Sequence, residues 1–179
     1  MIIDCILKAI MLFILYNIIT ISLFGIPESL PKTFHLYRNK NDGFRFMFYV
    51  FNLLMCIFLA PCWIKLSGTP FIKELSIFNI VLLFLVGFTP VIFKIKEESI
   101  INQSLIDFCK ICVRTISCCS SFLFILWIVL ATPFWWVVLF VTLIIATIAF
   151  ITKTLKNCYT YWIEFIGYTS TFITMLLMI

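Results

Sequence analysis

The sequence predicts an all-α integral membrane protein with about six transmembrane helices in a single domain. The chain of 179 residues is 64% hydrophobic and 12% charged, and its mean hydropathy is +1.18. Soluble domains are about half apolar and about a quarter charged. Six stretches reach the roughly twenty apolar residues that a helix needs to cross a bilayer. They lack the alternation of membrane β-strands, and within lipid a helix satisfies its own backbone polar groups.

The six predicted spans follow one another with mostly short connections. They cover about 6–26, 44–65, 75–93, 106–131, 134–152 and 158–178. In the first span Lys8 precedes an apolar run, as in a signal peptide, but Asp4 and the lack of a cleavage motif favour a retained helix. Only 131–133 separates the fourth span from the fifth. We therefore predict that these two helices form a tight antiparallel hairpin.

The longest polar connection, 27–43, is predicted to be a cytoplasmic loop. Pro27, Pro31 and the Asn-Asp-Gly at 41–43 break helices and form turns. Of the 13 Lys and Arg residues, ten lie in or beside this loop and the connections at 94–104 and 153–157. The other three are Lys8, Lys65 and Lys73. Because cytoplasmic loops carry the excess of basic residues, both termini are predicted to lie on the outer side of the membrane.

Glu164 is the residue of the last span whose insertion into the membrane costs the most free energy. Tyr161, Glu164, Tyr168 and Thr171 follow helical spacing and form one polar strip, which should face other helices rather than lipid. An ionisable residue inside the membrane is a functional candidate. Glu164 is predicted either to fix the helix register, or to line a proton or solute path or bind a lipid headgroup.

A second polar strip lies on the fourth span. Asp107, Lys110 and Arg114 are spaced so that they share one helix face, and Asp107 and Lys110 can pair locally. Arg114 lies deeper and can either extend to the headgroups or reach a carboxylate on a neighbouring helix. We predict that Arg114 and Glu164 face one another.

Three asparagines fall within the first three spans, at Asn17, Asn52 and Asn79. Asparagine commonly forms hydrogen bonds between membrane helices. The favoured interpretation is helix packing, and the alternative is a polar cavity that the three helices share.

Four residues near the cytoplasmic interface are candidates for catalysis, namely Glu28, Ser29, His35 and Asp107. They would serve a membrane-embedded enzyme that acts on lipid headgroups. No histidine or acidic cluster predicts a metal site, and no motif predicts a cofactor. The eight cysteines lie mostly in apolar segments, where a free thiol packs as a small hydrophobe.

Residues 26–66 resemble small multi-pass membrane proteins of unassigned activity from Bacteroides-type bacteria and their phages. In that pattern Pro-x-Ser-x-Ser/Thr-x-Thr and two aromatic residues follow the first helix, and the next helix ends near a tryptophan. Ser29, Thr33, Phe34 and Trp63 fit this outline, whereas Pro31 and His35 depart from it. The resemblance implies a bacterial inner-membrane or prophage-borne protein and transfers no catalytic residue.

The expected function is a non-enzymatic membrane role, either small-solute or proton movement or that of an accessory subunit. The alternatives are the lipid-directed enzyme and a phage-exclusion or partner-binding membrane protein. The predicted partners are the lipid bilayer and either further copies of the chain or another membrane protein. The net charge of +5 comes from cations beside apolar segments, which anchor to headgroups and do not indicate nucleic acid.

Overall fold

The computed structural model describes residues 2–40, 46–98, 103–154 and 157–179, with side chains except at 35, 38–40, 88–98, 103–110, 113 and 114. These ranges form six long helices and one short helix, and they contain no strand. The helices are α1 (Ile2–Phe24), α2 (Thr33–Lys40), α3 (Met47–Leu66), α4 (Pro70–Glu98), α5 (Gln103–Ala131), α6 (Trp135–Ile151) and α7 (Tyr159–Leu177).

Among the described residues three segments are long and apolar enough to cross a membrane, which agrees with the predicted membrane class. They are Ile2–Phe24, Met47–Leu66 and Pro70–Gly87. Two shorter apolar segments lie in α5 and α6, at Thr115–Ala131 and Trp135–Ile151. The short helix α2 lies inside the connection that was predicted to be a loop, so this helix was not predicted from the sequence.

Five of the long helices form a closed ring. Along the ring α1 packs against α3, α3 against α4, α4 against α5 and α5 against α7, and α7 returns to α1. At one end Cys62 Sγ lies 3.9 Å from the carbonyl oxygen of Ile2, and Trp127 Nε1 donates to Ser67 Oγ over 3.3 Å. At the other end the backbone N–H of Tyr161 donates to the carbonyl of Glu28. The turn between α3 and α4 and the segment that follows α1 therefore lie at opposite ends of the bundle.

Aromatic side chains fill the centre of the ring. Phe13 of α1 contacts three rings of α7, those of Phe165, Tyr168 and Phe172, at centroid distances of 5.0–5.5 Å. It also contacts Phe51 of α3 at 6.5 Å. Phe13 is 3% exposed, so this one side chain joins three helices within the core.

Helix α6 lies outside the ring and packs mainly against α7. Its buried side chains recur every fourth residue and form one narrow stripe, made of Val137, Val141, Ile145 and Ala149. Such a row forms a single ridge, which suits one neighbouring helix. The predicted tight hairpin of α6 with α5 is therefore wrong, because the two helices make few contacts. The rest of α6 exposes large apolar side chains, as a lipid-facing surface does.

The close approach of α5 and α7 depends on Gly167. A Cβ atom added there would lie 3.2 Å from Ser121 Cβ and 3.3 Å from its backbone. We expect Gly167→Ala to lower the free energy of unfolding by about 1–2 kcal/mol, because overpacking outweighs the better helix propensity of alanine. Denaturant titration in detergent measures this change. Gly68→Ala is the control, since nothing lies within 4 Å of that position. Equal stability of the two variants would contradict the close approach.

Candidate functional site

Glu164 is the sixth residue of α7 and is 2% exposed. At a rise of 1.5 Å per residue it lies about 8 Å from the start of the helix. The whole predicted strip of Tyr161, Glu164, Tyr168 and Thr171 is buried. It faces protein, as the helical spacing predicts.

The carboxylate of Glu164 accepts hydrogen bonds from two separate segments. The backbone N–H of Leu30 donates to Oε2 over 2.6 Å, and the hydroxyl of Ser117 in α5 donates to Oε1. Buried backbone N–H groups need an acceptor, and Glu164 supplies one to the segment that follows α1. Among the described side chains, neither of the ion pairs involves Glu164. The carboxylate is therefore stabilised by donors that carry no formal charge.

The segment 25–32 is docked against the start of α7 instead of extending into solvent. Tyr161 is the third residue of α7, so its backbone N–H has no acceptor within the helix. The carbonyl of Glu28 accepts this N–H over 3.1 Å. The Cys158 thiol donates to the carbonyl of Ile26 over 3.4 Å, and Leu30 is 3% exposed. The predicted polar loop is thus largely packed in its first part.

Hydroxyl groups fasten α2 to α1. Thr20 donates to the carbonyl of Tyr16, so the Tyr37 hydroxyl donates to Thr20 Oγ1 over 2.9 Å. Tyr16 in turn donates to Thr33, whose own hydroxyl donates to the carbonyl of Leu30. Burial raises the pKa of Tyr37, and its hydrogen bond with Thr20 opposes this shift. The Tyr37 phenol therefore stays neutral near pH 7 and remains a donor.

A small cavity lies beside Glu164 and is lined by both apolar and polar side chains. Its volume is about 10 Å³, which is enough for about one water molecule. Its polar lining residues come from α7, α3 and α5, and they are Glu164, Tyr168, Asn52, Ser117, Ser120 and Ser121. Such a cavity offers the two to four polar partners that a buried water requires.

The three predicted asparagines join three different helix pairs. Asn17 Oδ1 accepts from the Tyr161 hydroxyl over 2.7 Å, between α1 and α7. Asn52 donates to the carbonyl of Leu83 over 2.9 Å, between α3 and α4. Asn79 donates to the carbonyl of Leu123 over 3.4 Å, between α4 and α5. Each asparagine thus forms a hydrogen bond across a separate helix interface. Of the three, only Asn52 lines the cavity beside Glu164.

The interfacial candidates for catalysis are engaged in local structure where the structure describes them. Glu28 forms an ion pair with Lys32 over 2.5 Å, and Ser29 Oγ accepts the backbone N–H of Lys32 over 3.4 Å. The side chains of four further predicted residues lie outside the described residues, namely His35, Asp107, Lys110 and Arg114. The predicted contact between Arg114 and Glu164 therefore stays a prediction.

The hydrogen-bond donors to Glu164 were not predicted from the sequence. Ser117, Ser120 and Ser121 recur at helical spacing in an apolar segment, which is a signal for a polar helix face. No pattern in the sequence indicates that the backbone N–H of Leu30 would be a donor to Glu164. Among the described residues, no group of three or more His, Cys, Asp or Glu side chains lies close enough to hold a metal ion.

The chain matches no family model, no curated protein and no solved structure. Its function must therefore be inferred from the geometry around Glu164.

Proposed function

We propose that the protein is a non-enzymatic, multi-pass membrane protein that moves protons, alone or coupled to a small solute. Glu164 is the group that binds the proton. The observation that carries this proposal is a carboxyl group that is 2% exposed and lies beside a water-sized cavity, whose lining includes Asn52 and three serines. Burying a carboxyl group in a membrane protein is costly, so such residues commonly mark ion or proton pathways.

The proposed topology has six spans, with both termini outside a bacterial inner membrane. The six long helices of 17–29 residues support it, because about 17 residues suffice for a span. The location of the α3–α4 turn and the segment after α1 at opposite ends of the bundle also supports it, as does the excess of Lys and Arg in and beside the predicted cytoplasmic loops of the sequence. The resemblance of residues 26–66 to phage and Bacteroides-type membrane proteins favours the same membrane.

The hydrogen bonds of Glu164 allow it to gain a proton without releasing the docked segment. An ionised carboxylate only accepts, which suits the N–H of Leu30 and the hydroxyl of Ser117. A proton on Oε1 turns that atom into a donor, and the Ser117 hydroxyl can rotate to accept it. The N–H of Leu30 cannot rotate, so Oε2 remains its acceptor. The proton is therefore exchanged at Oε1.

The test compares wild type with Glu164→Gln in proteoliposomes that contain a pH-sensitive dye. The glutamine oxygen can accept from Leu30 while its amide donates to Ser117, so the fold is retained and proton exchange is lost. We expect wild type to conduct protons and Glu164→Gln to show only the proton flux of protein-free vesicles. Glu28→Gln is the matched control, because it makes the same change in a half-exposed ion pair.

Two outcomes would contradict the proposal. Flux from Glu164→Gln equal to that of wild type would show that this carboxyl group carries no proton. No flux from wild type under several ion gradients would exclude proton movement and leave the role of an accessory subunit.

A further inference from the structure

A second cavity lies on the outer surface of the bundle, between α3 and α4. Its volume is about 170 Å³, and it is lined by Tyr49, Asn52, Leu53, Phe84 and Gly87. Leu53 is 51% exposed and Phe84 is 47% exposed, so this groove faces outward. Asn52 lines both the groove and the cavity beside Glu164. A single side chain is therefore shared by the outer groove and the buried site.

Gly87 makes the position of Asn52 possible. A Cβ atom added at Gly87 would lie 2.5 Å from Asn52 Nδ2, so any other residue would displace the amide. The amide is held there by its bond to the carbonyl of Leu83. That bond joins the Asn52 side chain of α3 to the backbone of α4.

The groove and the buried site lie at the same depth. Asn52 is the sixth residue of α3 and Glu164 is the sixth residue of α7, and both helices begin at the same end of the bundle. Both residues are therefore about 8 Å from their helix starts. Tyr49 lies about one turn nearer that end of the bundle.

We propose that the cavity beside Glu164 binds a single water molecule that enters from the groove between α3 and α4, past the side chain of Asn52. This route rests on the proposed role of Glu164 as the proton-binding group. Asn52, Glu164 and the serine hydroxyls provide the polar partners that the water needs. A hydronium ion arriving there transfers one proton to Oε1 and remains as neutral water.

Two substitutions of Asn52 should change water access in opposite directions. Asn52→Ala removes the side chain between groove and cavity and should speed the entry of water. Asn52→Leu keeps the size and removes the polar group, so it should slow entry by about tenfold, the factor expected from losing one hydrogen bond on the way. Both variants lose the bond to Leu83, so a merely structural role would move them in the same direction.

The measurement is the rate of hydrogen–deuterium exchange at the protonated Glu164 carboxyl, followed by its infrared C=O band in reconstituted protein moved into D₂O. The band is assigned by its loss in Glu164→Gln. Asn79→Leu is the matched control, because it removes a similar interhelical bond from an asparagine that lines neither cavity. We expect faster exchange in Asn52→Ala, slower exchange in Asn52→Leu and an unchanged rate in Asn79→Leu.

The possible results separate the route from the proposed function. Equal exchange in both Asn52 variants, with proton flux still lost in Glu164→Gln, would overturn the route and leave the proposed function intact. Opposite shifts in exchange without any wild-type flux would support the water site and contradict proton movement across the membrane. A Glu164 band that does not appear at any pH would overturn both.

Discussion

Replacing Glu164 with alanine is expected to lower the free energy of unfolding by about 2–4 kcal/mol, whereas Glu164→Gln should change it by less than about 1 kcal/mol. The alanine variant leaves the N–H of Leu30 buried without its acceptor. Each unpaired buried donor costs about 1–3 kcal/mol. The unpaired Ser117 hydroxyl costs less free energy, because it can donate to a carbonyl of its own helix. Denaturant titration in detergent or lipid measures both changes.

The alanine variant should also release the docked segment 25–32. Cys158 reports this release, because its thiol is 6% exposed and donates to the carbonyl of Ile26. We expect thiol labelling of Cys158, read by mass spectrometry, to become faster in Glu164→Ala. Glu28→Ala, at a half-exposed ion pair, is the control and should cost no more than about 1 kcal/mol. Unchanged labelling in Glu164→Ala would show that the carboxylate does not hold this segment.

The positions of the long helices could be predicted well, because each coincides with a long apolar run in the sequence. The predicted span 134–152 corresponds to α6 at Trp135–Ile151, and 158–178 corresponds to α7 at Tyr159–Leu177. That Glu164 faces protein also followed from sequence, because lipid cannot satisfy a carboxylate. These predictions depend only on hydrophobicity and helical period.

The contacts of the site could not be predicted in the same way. Glu164 and Leu30 are 134 positions apart, and the donor is a backbone N–H that every residue except proline carries. Arg114 was predicted because a charged partner is the usual expectation for a buried carboxylate, and that contact stays a prediction. The predicted pairing of α6 with α5 was wrong for a different reason. A short linker brings two helix ends together, but it does not determine which helix faces pack.

Phe13→Ala is the second substitution with a large expected effect. It removes the ring that joins α1 to α7 and α3, and we expect the free energy of unfolding to fall by about 2–3 kcal/mol. In water-soluble cores Phe→Ala costs about 3–5 kcal/mol, as the sum of a transfer term and a cavity term. In lipid the transfer term is largely absent, because lipid tails are as apolar as the core. The cavity term remains, because packing contacts with the four rings are lost.

Phe140→Ala is the matched control for this prediction. Phe140 lies in α6 and is 58% exposed, so in a bilayer its ring contacts lipid whether or not the helices have assembled. Its removal should change the free energy of unfolding by less than about 0.5 kcal/mol. Equal effects of the two substitutions would contradict the packing of α1 against α7. A loss at Phe13 with none at Phe140 would support both the aromatic core and a lipid-facing α6, because only packing between helices then distinguishes the two phenylalanines.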